Sequence, residues 1–197
     1  MARSSGGLCL GLLLGLMGCA PSVAPSIGSD EETWTAVDGR SYRLADWADS
    51  RCVVLVFLGR DCPISNAYAP ELARLHEEYG ARGVTWWGVY PDADVNEAEA
   101  RQHAEEYGLN FPMFLDTDRL KARRFGATKM PEAVMLTPAG EVVYQGRIDD
   151  RYYELGRSRP KPTRQDLRDV LEAFLSGREV PLSHAPAIGC DIDWSQP

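Results

Sequence analysis

The sequence predicts an α/β fold with a central mixed β-sheet flanked by helices. Three observations carry this. Two continuous apolar runs, 53–58 and Val84–Tyr90, are rich in β-branched or aromatic residues, as strands buried on both faces are. Segments with helical spacing separate the strand-like runs, giving the order β-α-β-α-β-α-β-β-α. The runs 133–137 and 141–144, joined by Pro138-Ala139-Gly140, read as a tight hairpin that finishes a parallel set with antiparallel strands.

The elements follow in order. Residues 34–40 read as a short strand ending in an Asp38-Gly39 turn. After the strand 53–58, residues 63–79 form a helix whose apolar positions Ile64, Tyr68, Leu72, Leu75 and Tyr79 keep helical spacing. Beyond Val84–Tyr90 come a polar Ala/Glu-rich helix (94–107), a short strand (111–115) and a short helix (118–125). A last helix, 163–175, presents Leu167, Val170, Leu171 and Phe174, with Thr163 and Asp166 placed as a capping box. The acidic run 97–106 reads as an exposed face, His76 and His103 as solvated, and Trp86 and Trp87 as packing residues. No internal repeat is present.

The 197 residues, 44% hydrophobic and 25% charged, suffice for one well-packed domain, and two would be cramped. The net charge of −8 comes without any basic stripe, which excludes the usual nucleic-acid binder. The first 18 residues stand apart. Arg3 supplies a positive start, and 8–17 is an apolar run too short to span a bilayer but of signal-peptide length. It ends Leu16-Met17-Gly18-Cys19, which resembles the lipobox of bacterial lipoproteins. An ordinary secretory signal or an anchor helix are the other readings. The resemblance implies cleavage before Cys19, lipid on its sulfur, and anchoring on the periplasmic side of the bacterial envelope. Ala20 in place of Asp favours the outer membrane over the inner. The expected organisation is a signal peptide (1–18), a Ser/Pro-rich tether (19–32), the folded domain (33–178) and a flexible tail (179–197) carrying Cys190.

Of five cysteines, Cys9 falls in the leader and Cys19 is assigned to lipid. Cys52 and Cys62 bracket a strand that holds them roughly 20 Å or more apart, whereas a disulfide needs Cα atoms within about 7 Å. Any intramolecular partner of Cys62 is therefore Cys190, and Cys52 reads as a packed thiol. Cys62 follows a buried strand and precedes a helix, where free N–H groups and the helix dipole stabilise a thiolate. Pro63 suits the first helical position.

Strand, Gly59-Arg60-Asp61-Cys62-Pro63-Ile64-Ser65, then helix, resembles the active-site turn of the thioredoxin superfamily. Pro70 falls where that family's active-site helix is kinked, and Thr128-Lys129-Met130-Pro131 matches the motif whose proline is cis and faces the reactive cysteine. The stretch 34–177 is similar to the redoxin branch, which holds the alkyl hydroperoxide reductase/thiol-specific antioxidant proteins and periplasmic thiol-disulfide reductases. The resemblance implies a thioredoxin-like fold and a thiol-dependent oxidoreductase. Cys62, Cys190 and Pro131 would be its catalytic residues, and Met130, Pro63 and Ser65 would bind substrate, Met130 through its backbone. Protein thiols and disulfides or small peroxides would be partners, along with a thiol reductant and no cofactor.

Three departures bear on the chemistry. Ser65 replaces the second cysteine of Cys-x-x-Cys, so exchange within one turn is impossible. Gly59 and Leu55 stand where peroxiredoxins keep Thr and Pro, which counts against efficient peroxide reduction. Val56 replaces the buried acid of thioredoxins, and Asp61 opposes the thiolate unless Arg60 offsets it. Cys190, preceded by Gly189, which permits close backbone approach, has three open roles: resolving thiol, structural clip or unpaired thiol. Peroxide reduction is an alternative activity. A copper- or metal-binding module using Cys62, His184 and Cys190 is an alternative from another class. Arg147, Asp149 and Asp150 either line the site or fix their loop.

Overall fold

The computed structural model describes Met1 and residues 32–195. The rest of the leader, Cys19 and the tether up to residue 31 lie outside the described residues. In chain order the elements are β1 (Thr33–Thr35), β2 (Ser41–Arg43), a 3-10 helix (Leu44–Asp49), β3 (Cys52–Phe57), α1 (Pro63–Gly80), β4 (Val84–Tyr90), α2 (Glu97–Glu106), β5 (Met113–Leu115) and α3 (Leu120–Phe125). There follow β6 (Lys129–Met130), β7 (Glu132–Leu136), β8 (Val142–Gly146), β9 (Tyr152–Glu154), β10 (Arg157–Ser158), α4 (Asp166–Leu175), β11 (His184–Ala185) and β12 (Cys190–Asp191). Among the described residues no helix is long and apolar enough to cross a membrane.

A six-stranded mixed sheet runs β11-β8-β7-β3-β4-β5. β3, β4 and β5 are parallel, β7 and β8 antiparallel, and β11 parallel to β8. β3 lies centrally, and every one of its residues is buried. Its alternation divides the core in two. Val54, Val56 and Leu58 pack with Leu72 and Leu75 of α1 and with Leu167, Val170 and Leu171 of α4. Val53, Leu55 and Phe57 meet an aromatic cluster on the opposite face. There Trp87 packs against Phe114, Trp47 and Trp34 at centroid distances of 4.8, 5.1 and 5.3 Å. Such pairs contribute about 0.5–1.5 kcal/mol each beyond simple burial. Trp86 and Trp87 are both core residues, one for each face.

Several local expectations are corrected. The first predicted strand forms as β1 and ends in the expected Asp38-Gly39 turn, which leads on into a paired β2 and a 3-10 helix that were not expected. α2 begins at the Asn96 cap, whose side chain accepts from the Ala98 and Glu99 N–H groups while Glu99 reaches back. The Thr163–Asp166 capping box does not form. The Thr163 N–H and hydroxyl donate to Asp150 at 2.6 and 2.5 Å, and Asp166 is held by Arg147 at 2.7 Å. α4 starts instead at Gln165, with no side-chain cap. A buried carboxylate is the stronger acceptor and captures the threonine.

His103 is not solvated. With Ala100 and Ala104 it forms the inward stripe of α2, 6% exposed, bonded to the Tyr90 hydroxyl at 2.7 Å and to Asn66 at 2.9 Å. His76 is half-buried, bonded to Asn110 at 2.9 Å and edge-on to Phe111. The tail is not free either. It lays β11 on β8 and β12 on β6, and buries Ala185 and Ile192.

Candidate active site

β3 delivers the chain to a tight turn, and Cys62 occupies the cap of α1 with Pro63 in the first helical position. The cap residue has an extended backbone (φ −86°, ψ 111°), and its side chain makes no capping hydrogen bond to the first turn. Cys62 is only 3% exposed. Opposite stands Met130, joined to Pro131 by a cis peptide bond. The Cys62 thiol donates to the Met130 carbonyl at 3.1 Å. β12 pairs antiparallel with β6, Cys190 across from Met130. This sets the Cys190 and Cys62 sulfurs 2.7 Å apart, and both thiols are free. A covalent bond needs about 2.05 Å, so a movement of under about 1 Å would join them.

The two sulfurs differ in kind. Burial pushes the Cys62 thiol up. Hydrogen bonds from the Cys190 thiol and from the Ser65 backbone and hydroxyl outweigh this and hold it below the ordinary thiol value. Cys190 is pushed up by burial, by its bond to Cys62 and by the negative charges of Cys62, Asp92 and Asp191. Cys62 is thus the more acidic of the two thiols and Cys190 the less.

Ser65 sits 2% exposed beneath the sulfur, and its hydroxyl also accepts from the Gly59 N–H at 3.2 Å. It stands inside the turn, away from any substrate surface, while Pro63 is exposed on the rim. Gly59 has a steric reason: a Cβ there would meet Cys62 Cβ at 3.0 Å and Met130 Sδ at 3.2 Å. A threonine does not fit without displacing the thiol or the Met130 side chain. Asp61 points to solvent and is paired with Arg60 at 2.8 Å, and Arg60 also binds Glu99 at 3.0 Å. The offset by Arg60 is thus present.

Two features were missed in the sequence. Asp92, just past β4, accepts from the Arg60 N–H at 3.3 Å and lines the same cleft of about 270 Å³ as Cys62, Met130 and Cys190. Burial raises its carboxyl above the usual range. A second set runs Tyr90–His103–Asn66, and the Asn66 amide donates to the Arg60 carbonyl at 3.1 Å, holding the active-site turn. Burial lowers His103 below its ordinary value, keeping the ring neutral. Asn66 lies one helical turn after Cys62, a spacing that could have signalled its position.

His184 does not join the cysteines. It is exposed in β11, paired with Gln145 at the far edge of the sheet. Among the described residues no three His, Cys, Asp or Glu side chains come together to hold a metal. The Cys62/His184/Cys190 metal triad is therefore not assembled. Asp149 and Asp150 fix their loop. Asp149 accepts the buried Tyr68 hydroxyl, and Asp150 takes Thr163 and Arg164. A roomier cleft of about 520 Å³, bounded by Val37, Tyr42, Arg101, Leu109 and Phe111, contains no cysteine.

A cysteine capping the first helix, opposite a cis-proline edge on a mixed sheet, defines a thioredoxin-like fold. Residues 24–145 match the AhpC/TSA family model, and the chain belongs to that family. Thiol-disulfide oxidoreductase ResA of Bacillus subtilis (strain 168) is 30% identical over 122 residues, 60% of this chain and 65% of that protein. The chain spans 59–65% of the length of the curated relatives it matches first. An uncharacterized conserved protein from Geobacillus kaustophilus superposes with a TM-score of 0.71 at 28% identity, covering 93% of this chain and all of that one. A secreted Mycobacterium tuberculosis disulfide oxidoreductase homologous to Escherichia coli DsbE shares the fold, with a TM-score of 0.51 and 21% identity over 75% of this chain and 96% of that one.

Proposed function

We propose that this protein is an extracytoplasmic thiol-disulfide oxidoreductase in which Cys62 is the nucleophile and Cys190 the resolving thiol. The observation that carries the reading is the 2.7 Å approach of the two sulfurs at a helix N-terminus, one thiol held below its ordinary value and the other above it. The Cys62 thiolate attacks one sulfur of a substrate disulfide. The substrate S–S bond breaks, and its second sulfur leaves as a thiolate and takes a proton. Cys190 loses its proton and attacks the Cys62 sulfur of the mixed disulfide. The first substrate sulfur is then released, and the Cys62–Cys190 disulfide remains. Two electrons pass to the substrate, and an external dithiol restores the protein. The ResA relative is named for this chemistry.

The apolar leader and the lipobox-like Leu16-Met17-Gly18-Cys19 support a lipid tether on the periplasmic side of the envelope, a compartment where disulfides persist. Peroxide reduction is the weaker reading, since Gly59 offers no hydroxyl to orient a peroxide. The test is alkylation and peptide mapping of the lipid-free protein before and after dithiothreitol. A Cys62–Cys190 cross-link that the reductant removes, with mixed disulfide accumulating in Cys190→Ser, is the expected result. Two separately alkylated thiols with no trapped intermediate would remove Cys190 from the mechanism.

A further inference from the structure

Among the described residues β6 has one partner: Lys129 and Met130 pair with β12, in a two-stranded ladder apart from the main sheet. The contact is built like a ligand in a site. Gly189 enters against the Met130 carbonyl, where a Cβ would come within 2.1 Å of the oxygen, so no larger residue fits. Cys190 lies across from Met130 with its sulfur on Cys62. Asp191 lies across from Lys129 and pairs with its ammonium. The Ile192 N–H donates to the Thr128 carbonyl at 3.1 Å, and its side chain, 2% exposed, enters the aromatic side of the core.

This contact also covers the nucleophile. Cys62 is 3% exposed, and the Cys190 sulfur occupies the approach that an incoming disulfide sulfur would need. β11 is tied separately to β8, so the segment 186–189 can serve as the hinge on which β12 leaves.

Resting on the thiol-exchange reading above, and on the substrate edge at Met130 that the family resemblance implies, we propose that residues 189–192 are a built-in competitor seated on Thr128–Met130 at rest. Protein substrates enter by displacing them. The segment recognised is extended, with a disulfide-bonded cysteine opposite Met130. A glycine or similarly small residue precedes that cysteine, and an acidic and then an apolar residue follow it. Strand addition supplies sequence-independent affinity, and the flanking side chains supply selection. The tail competes as a tethered ligand at an effective concentration of about millimolar, which makes exchange selective for segments that match it.

The test uses the reduced lipid-free protein and a synthetic peptide with the sequence of residues 187–194, its cysteine joined in a mixed disulfide to thionitrobenzoate. Attack by Cys62 on the peptide sulfur breaks that bond and releases the coloured anion. Gly189→Val cannot seat the tail and also takes the Cys190 donor from the Cys62 sulfur, so rates are compared per Cys62 thiolate, from the pH dependence of alkylation; on that basis release should be tenfold or more faster than in wild type. A peptide carrying lysine at the place of Asp191 should react at least tenfold more slowly than the matched peptide, and Lys129→Glu should reverse that preference. The Lys129→Glu arm decides the matter if Gly189→Val does not fold. Equal rates for both peptides in wild type and in Lys129→Glu would overturn the docking edge, as would an unchanged rate in a folded Gly189→Val. The small disulfide dithiobis-nitrobenzoate separates the two levels. A Cys62 that attacks it without discriminating between peptides defeats the docking proposal alone. A Cys62 inert to it defeats the proposed function, and the docking edge with it.

Discussion

β3 carries a buried cysteine at its first residue and leads into another five residues past its end. Cys52 is fully buried and Cys62 3% exposed, yet their acidities diverge. Burial pushes Cys52 up to about 12, with only Arg51 pulling the other way. Cys62 is held below its ordinary value although burial acts on it too, because the Cys190 thiol and the Ser65 backbone and hydroxyl donate to the sulfur. Burial by itself thus makes a thiol inert, and donors aimed at the sulfur make it reactive.

The largest expected effect is on activity. Cys62→Ser should abolish disulfide exchange, and Cys52→Ala should leave it unchanged in the same turnover assay. Equal losses in both variants would end the distinction between the two thiols. Next comes the donor from the tail. In Cys190→Ala the pH midpoint of Cys62 alkylation should move up, because a hydrogen bond to the thiolate is lost while burial remains. A midpoint that stayed in place would assign the whole effect to the helix start.

The same contrast has a stability signature, read by denaturation of the reduced protein across pH. Cys62, depressed on folding, adds stability above the ordinary thiol value, and this is lost as pH falls through its folded value. Cys52, raised on folding, has the opposite sign. Its contribution is complete below about 9 and is lost as pH rises toward about 12. In Cys52→Ala the alkaline decline should flatten, with a loss of about 1 kcal/mol at neutral pH for the removed sulfur. The smallest effect belongs to Glu172→Gln. Its carboxyl is held at about 2 by Arg82 and Tyr79, but the Arg82 pair is only half-buried and screened by solvent, so urea unfolding should register less than about 1 kcal/mol. That contribution is lost as pH falls from the ordinary carboxylate value toward 2.

Much of this was legible in the chain. β4 appears with the bounds expected, β3 and α1 within a residue or so, and Pro131 is cis as its motif implied. Periodicity marks such elements because both sides of a buried strand and one stripe of a helix must be apolar. His103 escaped because polarity was taken for exposure, whereas its two nitrogens are satisfied inside by Tyr90 and Asn66. The Thr163 cap escaped because its competitor, Asp150, lies 13 residues away and becomes a neighbour only when the loop folds. Asp92 looked like any loop aspartate until the Arg60 amide and the Cys190 strand closed around it.

By itself the sequence determined a cysteine at a strand-to-helix turn, an opposing proline loop and the absence of a second cysteine in that turn. These follow from local spacing, which the chain carries wherever it folds. Only the tertiary structure decided that the tail docks, that Cys190 stands on Cys62 across 128 residues, and that His184 does not. A two-residue strand has no period to read. Its register is set by backbone pairing with β6, by the space at Gly189 and by the seat of Ile192, all of which exist only once the sheet is assembled.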